Sequence, residues 1–227
     1  MKNEADRRIR LFVDFDGTIT DKDIGFTIFN KFLPSELIEG SWYRNILDEW
    51  KAGRISSQEC LTLECENSVV TQDELNAELD RFALTSGFVE TVHYCRKNRI
   101  PIMILSDGLD YYIEFILAKY GINDVMVRAN HMFFNNGSLG VDFPHMDKGC
   151  GRCGNCKRWH MDNFSKEGDL VIYTGDGFSD RFAIRSAGII FARSDLAEFC
   201  GKEGISHIPF ETFYDIIKHI EEIHGEI

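Results

Sequence analysis

Apolar residues fall along this chain in two rhythms. Short continuous runs at residues 11–13, 101–105, 125–127, 170–173 and 189–192 read as strands covered on both faces. Helical spacing recurs over 24–33, 36–51, 56–66, 72–84, 88–98, 109–120, 157–164 and 181–187, with a final amphipathic stretch at 212–223. Pro34 interrupts the first of these helices and Gly121 closes the one at 109–120. Ser56 or Ser57 can cap the helix that follows it. Asn135, Asn136 and Gly137 mark a hairpin between residues 132–134 and 139–141, and 207–209 is a last extended piece. No run between residues 21 and 85 reads as a strand. The pattern therefore predicts an α/β core from residues 1–20 and 86–227, interrupted by an all-helical cap at 21–85. Strands alternating with helices predict a doubly wound, Rossmann-like parallel sheet.

Three of these strands end on polar side chains. The first stops at Asp14 and Asp16, which project to the same side because side chains alternate along a strand. Gly17 then lets the backbone turn away and expose its amides. The second stops at Ser106, Asp107 and Gly108, and the fourth runs into Asp176 and Asp180. A parallel sheet gathers these ends on one edge, where open α/β sheets place their ligands.

Composition narrows the partners. The 227 residues are 44% hydrophobic and 27% charged, ordinary for a soluble globular protein. A formal net charge of -12 argues against nucleic acid or an anionic membrane surface. If phosphate binds at the strand ends, a metal, a lysine or helix amino termini must reverse the sign locally. Residues 1–10 lack the apolar core of a signal peptide and no stretch reaches the length of a membrane span, so a cytoplasmic monomer or homodimer is expected.

Asp14-Phe15-Asp16-Gly17-Thr18-Ile19-Thr20 resembles the first motif of the haloacid dehalogenase-like phosphohydrolases. Ser106 matches their second-motif hydroxyl, Lys157 the third-motif lysine, and the 175–180 stretch the fourth motif, all in order. The resemblance implies a Mg²⁺-dependent phosphatase acting on a small phosphorylated metabolite. It makes Asp14 the nucleophile, forming an aspartyl-phosphate, and Asp16 the general acid and base. It places Mg²⁺ on Asp14, Asp16 (through its carbonyl) and Asp176, with Asp180 beside them, and the phosphoryl oxygens on Ser106, Asp107, Gly108 and Lys157. The helical insertion is similar to the cap of the phosphoserine-phosphatase-like subgroup. Pro144, His145 and the cysteines before Lys157 resemble two of its branches, which act on diketo-methylthiopentyl phosphate and on phosphocholine or phosphoethanolamine. Asp23 and Glu64 fall where phosphoserine phosphatases read the amine and the carboxylate of their substrate. A carboxylate at Glu64 would repel phosphoserine. A catalytically silent binding protein on the same fold, and transfer to an acceptor other than water, are the competing readings.

Seven cysteines without a secretion signal read as thiols or metal ligands. Cys150, Cys153 and Cys156 repeat a two-residue spacing that can gather three thiolates around one Zn²⁺, with His145 or His160 as the fourth ligand. Ordinary reduced thiols, a disulfide, or a redox dithiol are the alternatives at this loop.

Overall fold

A computed structural model describes residues 8–146 and 148–225; the polar stretch 1–7, expected to carry no signal sequence, lies outside them. The apolar runs form a seven-stranded sheet: β1 (Ile9–Val13), β2 (Ile102–Leu109), β3 (Met126–Asn135), β4 (Ser138–Asp142), β5 (Leu170–Gly175), β6 (Ile189–Ala192) and β7 (Ile208–Pro209). Their order is β4-β3-β2-β1-β5-β6-β7, so β1 is central. All neighbours are parallel except the β3–β4 hairpin at one edge.

Alternation along the strands builds one core on each face. Leu11, Val13, Ile104, Ile172 and Phe191 face helices α6 (Phe88–Asn98), α7 (Asp110–Lys119) and α10 (Phe213–Gly225). Phe12, Met103, Leu105, Tyr173 and Ile190 face α8 (Lys157–Phe164) and α9 (Ser194–Glu203) on the other side. Full burial of such side chains is worth about 1.5–3 kcal/mol each, which fixes the register. It also fixes which residues of the β1 terminus face the site.

Between β1 and α6 lie a single π-type turn (Phe15–Ile19) and five α-helices, α1 (Ile24–Phe32), α2 (Ser35–Glu39), α3 (Trp42–Lys51), α4 (Ser57–Asn67) and α5 (Gln72–Leu79). Among the described residues the one pairing of β type there is an isolated bridge from Thr20 to Leu84, which joins the two ends of this helical stretch. Ser56 caps α4, accepting from Glu59 N–H while the Glu59 carboxylate accepts from Ser56 N–H.

Several boundaries differ from expectation. The helix expected over 36–51 is two, because Ser41 adopts φ +62° after Gly40. The fourth helix stops at Leu79, releasing Leu84 to that bridge. The short third strand and the first arm of the hairpin are one strand, β3. Residues 178–186 form two short 3₁₀ turns instead of one helix, and α9 was not anticipated. Among the described residues no helix is long and apolar enough to cross a membrane.

Candidate active site

The site begins where β1 runs out. Asp14 is almost fully buried, and its backbone N–H still donates to Thr174 on β5 at 2.9 Å. Its Oδ1 accepts from Phe15 N–H at 2.7 Å and pairs with Lys157 Nζ at 2.6 Å, and the residue lines the cavity above. Gly17 (φ +67°) turns the chain beside Asp176; a Cβ there would collide with that carboxylate. Thr18 Oγ1 donates to Asp176 at 2.9 Å. The loop is held from below by Arg193, whose guanidinium donates to the carbonyls of Gly17, Thr18 and Thr20.

Lys157, the first residue of α8, is buried between Asp14 and Asp180, 2.6 Å from each, and donates to Ser179 Oγ at 2.9 Å. Burial works against its charge, but Asp14 and Asp180 more than offset this and hold the ammonium protonated above the usual lysine range. Oxygens of Asp14, Asp176 and Asp180 all lie within 4.8 Å of one another. Burial and the charge of Asp180 push Asp14 upward, and push Asp176 to about 7. Three carboxylates against one lysine leave an excess of negative charge, which proton uptake or a further cation relieves. Asp180 is already saturated: Oδ1 accepts from Lys157 and Tyr173, and Oδ2 from Asp176 N–H (3.0 Å) and Gly177 N–H (2.9 Å). It therefore positions Lys157 and the Asp176 turn, and as a ligand it is the weakest of the three.

Asp16 turns away from this cluster toward the helical insertion. Its carboxylate accepts from Ile24 N–H (3.1 Å), Gly25 N–H (3.4 Å), Tyr112 Oη (2.7 Å) and Ser106 Oγ (3.3 Å). Burial, then the neighbouring charge of Asp23, push it up to about 6, against the hydrogen bonds of Tyr112 and the two amides. A carboxyl with that value exchanges protons near neutral pH. Gly108 is required by contact: a Cβ would collide with Tyr112 Oη. Ser106 is buried beside it and accepts from Gly108 N–H at 2.9 Å.

A model of the family described as Putative Phosphatase matches residues 9–197, spanning every one of these groups. The chain belongs to that family. The phosphatase is also similar over nearly its whole length to proteins named 2-hydroxy-3-keto-5-methylthiopentenyl-1-phosphate phosphatase. That of Brevibacillus brevis is 30% identical over 97% of this chain and 99% of its own. That of Bacillus cereus (strain G9842) is 32% identical over 95% and 98%. Among solved structures, a phosphoserine phosphohydrolase-like protein from Francisella tularensis superposes with a TM-score of 0.70 at 19% identity, over 93% of this chain and 99% of its own. A phospho-aspartyl intermediate analogue of phosphoserine phosphatase gives 0.68 at 18%, over 94% and 99%. These two likenesses are of fold. The motif order, the sheet and the family together make the chain a haloacid dehalogenase-like phosphomonoester hydrolase.

Above the carboxylates of the phosphatase lies a cavity of about 250 Å³. Phe26, Tyr43, Leu47, Trp50 and Leu61 of the insertion line it, with Phe178 from the core; Trp50 meets Phe178 edge-on at 5.2 Å between ring centres. Two further carboxylates reach it. Asp23 caps α1 by accepting from Phe26 N–H at 2.8 Å, and Glu64 is buried on α4. Burial pushes Glu64 up to about 8, with the Tyr43 hydroxyl beside it acting in the opposite direction.

Asp107 lines the cavity, and its carboxylate accepts from Asn155 N–H at 2.8 Å and from Ser57 of α4. One expectation changes here. The three cysteines do converge, with their sulfurs within 4.8 Å of one another, but neither histidine joins them. His160 is used elsewhere. Asn155 donates through Nδ2 to Ser106 O (2.8 Å) and Arg128 O (2.7 Å), so its Oδ1 must accept, and His160 Nε2 donates to it at 2.6 Å. Burial, then His145 and Arg128, hold His160 neutral, down at about 4. His145 packs edge-on against that ring. Arg193 and Asn155 carry no motif signature, and the place of Tyr112 against Asp16 is revealed only by its contact.

Proposed function

We propose that this phosphatase hydrolyses a small phosphorylated metabolite through Asp14, and that the metabolite is 2-hydroxy-3-keto-5-methylthiopentenyl 1-phosphate. Asp14 Oδ2 attacks phosphorus, the ester P–O bond breaks, and Asp16 gives its proton to the leaving oxygen. Water then attacks the aspartyl-phosphate, its proton passing to Asp16, and phosphate leaves. Lys157 and Ser106 hold the phosphoryl oxygens, alongside the backbone of Asp107 and Gly108. The all-oxygen donors and their excess negative charge fit a hard divalent cation, so Asp14, Asp176 and the Asp16 carbonyl are the residues that would hold Mg²⁺. When bound, that ion offsets charge on the transferring phosphoryl group. Residues 21–85 act as a cap over a core of residues 1–20 and 86–227, closing on the substrate and excluding water.

The observation that carries the substrate is the lining of the cavity. Phe26, Tyr43 and Trp50 offer aromatic contacts that suit a thioether arm. Glu64, protonated at neutral pH, can donate a hydrogen bond to a keto or hydroxyl oxygen without demanding a cation. The relatives named for that substrate match the chain end to end. Asp23 beside these rings favours a second reading, phosphocholine or phosphoethanolamine, whose positive head would pair with it.

The test is hydrolysis of a panel of phosphomonoesters with Mg²⁺ and with EDTA. The methylthiopentenyl ester should give the highest kcat/KM, with phosphoserine poor, and EDTA should abolish turnover. A higher value for phosphocholine or phosphoethanolamine would reassign the substrate. Asp14→Asn should lose activity by at least about 10³-fold while keeping the unfolding temperature. Retained activity would remove the nucleophile.

A further inference from the structure

Phosphoryl transfer leaves Cys150, Cys153 and Cys156 without a task. Cys60, Cys65, Cys95 and Cys200 are buried, where a thiol packs as a small apolar side chain. The loop cysteines differ. Cys150 is exposed, Cys153 half-buried and Cys156 buried, yet all three sulfurs lie within 4.8 Å of one another. Glycines make this convergence possible. Gly149 (φ +77°) and Gly151 (φ +71°) turn the chain through the left-handed region on either side of Cys150, and a Cβ at Gly149 would strike Cys156 Sγ. Backbone amides are aimed at the sulfurs. Cys153 N–H donates to Cys150 Sγ at 3.4 Å, and the N–H groups of Cys150 and Trp159 donate to Cys156 Sγ. Such bonds favour the thiolate, which is the form that binds metals.

We propose that Cys150, Cys153 and Cys156 bind one thiophilic divalent ion of the zinc class, with a solvent ligand completing the tetrahedron on the exposed side of Cys150. The ion would be structural, and the loop it closes is a junction. Ser57 N–H donates to Arg152 O (3.0 Å), Gln58 Nε2 to Cys153 O (3.1 Å) and Arg152 to Gly53 O, tying the helical insertion to this loop. Asn155 N–H holds Asp107 from the same loop, and Lys157 follows directly after Cys156. One bound ion would therefore fix the catalytic lysine and the seat of the insertion together. A Cys150–Cys153 disulfide is the competing fate of these atoms, since their sulfurs are 3.3 Å apart. It would need an oxidant to take two electrons, and would leave Cys156 alone.

The experiment uses the full chain, purified under reducing conditions, as wild type, Cys150→Ser and Cys200→Ser. Zinc content is measured by elemental mass spectrometry, Zn²⁺ affinity by competition with a chromophoric chelator, and Co²⁺ binding by its thiolate charge-transfer absorption. About one zinc per chain and the cobalt band are expected in wild type and Cys200→Ser. Cys150→Ser should weaken zinc binding by at least about tenfold. Because Cys150 is at the surface, that variant should fold, which circular dichroism checks. Added Zn²⁺ should also slow alkylation of Cys150 and Cys153 in the wild type. A reduced wild type that binds neither ion would overturn the site, as would wild-type zinc affinity in Cys150→Ser.

Discussion

At the residue scale the chemistry rests on separating two aspartates that are neighbours in sequence. Asp14 is drawn into the lysine cluster, whereas Asp16 is wrapped by Tyr112, Ser106 and two amides and held near 6. The motif made their identities legible, but not their separation: the strand ends at Val13, and the turn that follows aims Asp16 away from Asp14. The motif could not reveal Tyr112, Arg193 or Asn155, whose roles depend on contacts with residues far away in the chain. Those contacts make a pH prediction. Asp23 raises Asp16 by charge repulsion, so Asp23→Asn should lower its value; Tyr112 lowers it by hydrogen bonding, so Tyr112→Phe should raise it. The proposed mechanism requires Asp16 to start protonated, so the alkaline limb of kcat/KM should move down in the first variant and up in the second. Each shift should be about half to one pH unit. Shifts in the same direction would remove Asp16 as the acid. Glu64 allows a stability test. Its value in the folded chain, about 8, lies above the ordinary 4.5, so the neutral form is favoured by folding. Its contribution is fully present below about 4.5 and is lost as pH rises through about 8. Glu64→Gln should therefore flatten the fall in Tm across that window. Parallel Tm profiles for the two proteins would mean that Glu64 is not held neutral.

At the element scale the strands and their polar ends were readable, because both faces of the sheet are buried and each run is continuous in apolar residues. Boundaries set by backbone conformation were not. Ser41 in the left-handed region splits α2 from α3, and 3₁₀ turns replace a helix after Asp176, where hydrogen bonds to Asp180 compete with helical ones. The helix α9 is weakly marked in the sequence, because Asp195, Glu198 and Lys202 interrupt its apolar positions. The helices between β1 and β2 are legible as a stretch without strand patterning, and their packing on the core supplies a prediction. Trp50 donates to Ser57 at 3.0 Å, Ser57 reaches Asp107, and the Trp50 ring meets Phe178, so the aromatic wall of the cavity is shared between insertion and core. The cavity beneath that wall, about 250 Å³, is of a size for a small metabolite. Small esters should be hydrolysed at least about 10²-fold faster than a folded phosphoprotein, measured as kcat/KM. Equal rates would show that the insertion does not close over the site.

At the scale of the whole molecule, a phosphatase that carries a formal charge of -12 must attract a phosphate ester. The sign is reversed only locally, by buried Lys157 and by whatever cation the carboxylates hold. Buried charges act over the last few ångströms, where little salt penetrates, while the exposed acidic surface acts at long range and is screened. The two fields separate by ionic strength. The screening length falls from about 30 Å at 0.01 M salt to about 8 Å at 0.15 M, so added NaCl should weaken the repulsion of an approaching anion while leaving Lys157 untouched. With Mg²⁺ fixed, kcat/KM should rise a few-fold, by about two to five, over that range as kcat stays constant. The same series on Lys157→Met, at its lower activity, should show the same relative rise, because the repulsion comes from the surface. A fall in kcat/KM with salt would mean that the mouth of the site projects a positive field strong enough to steer the substrate despite the net charge.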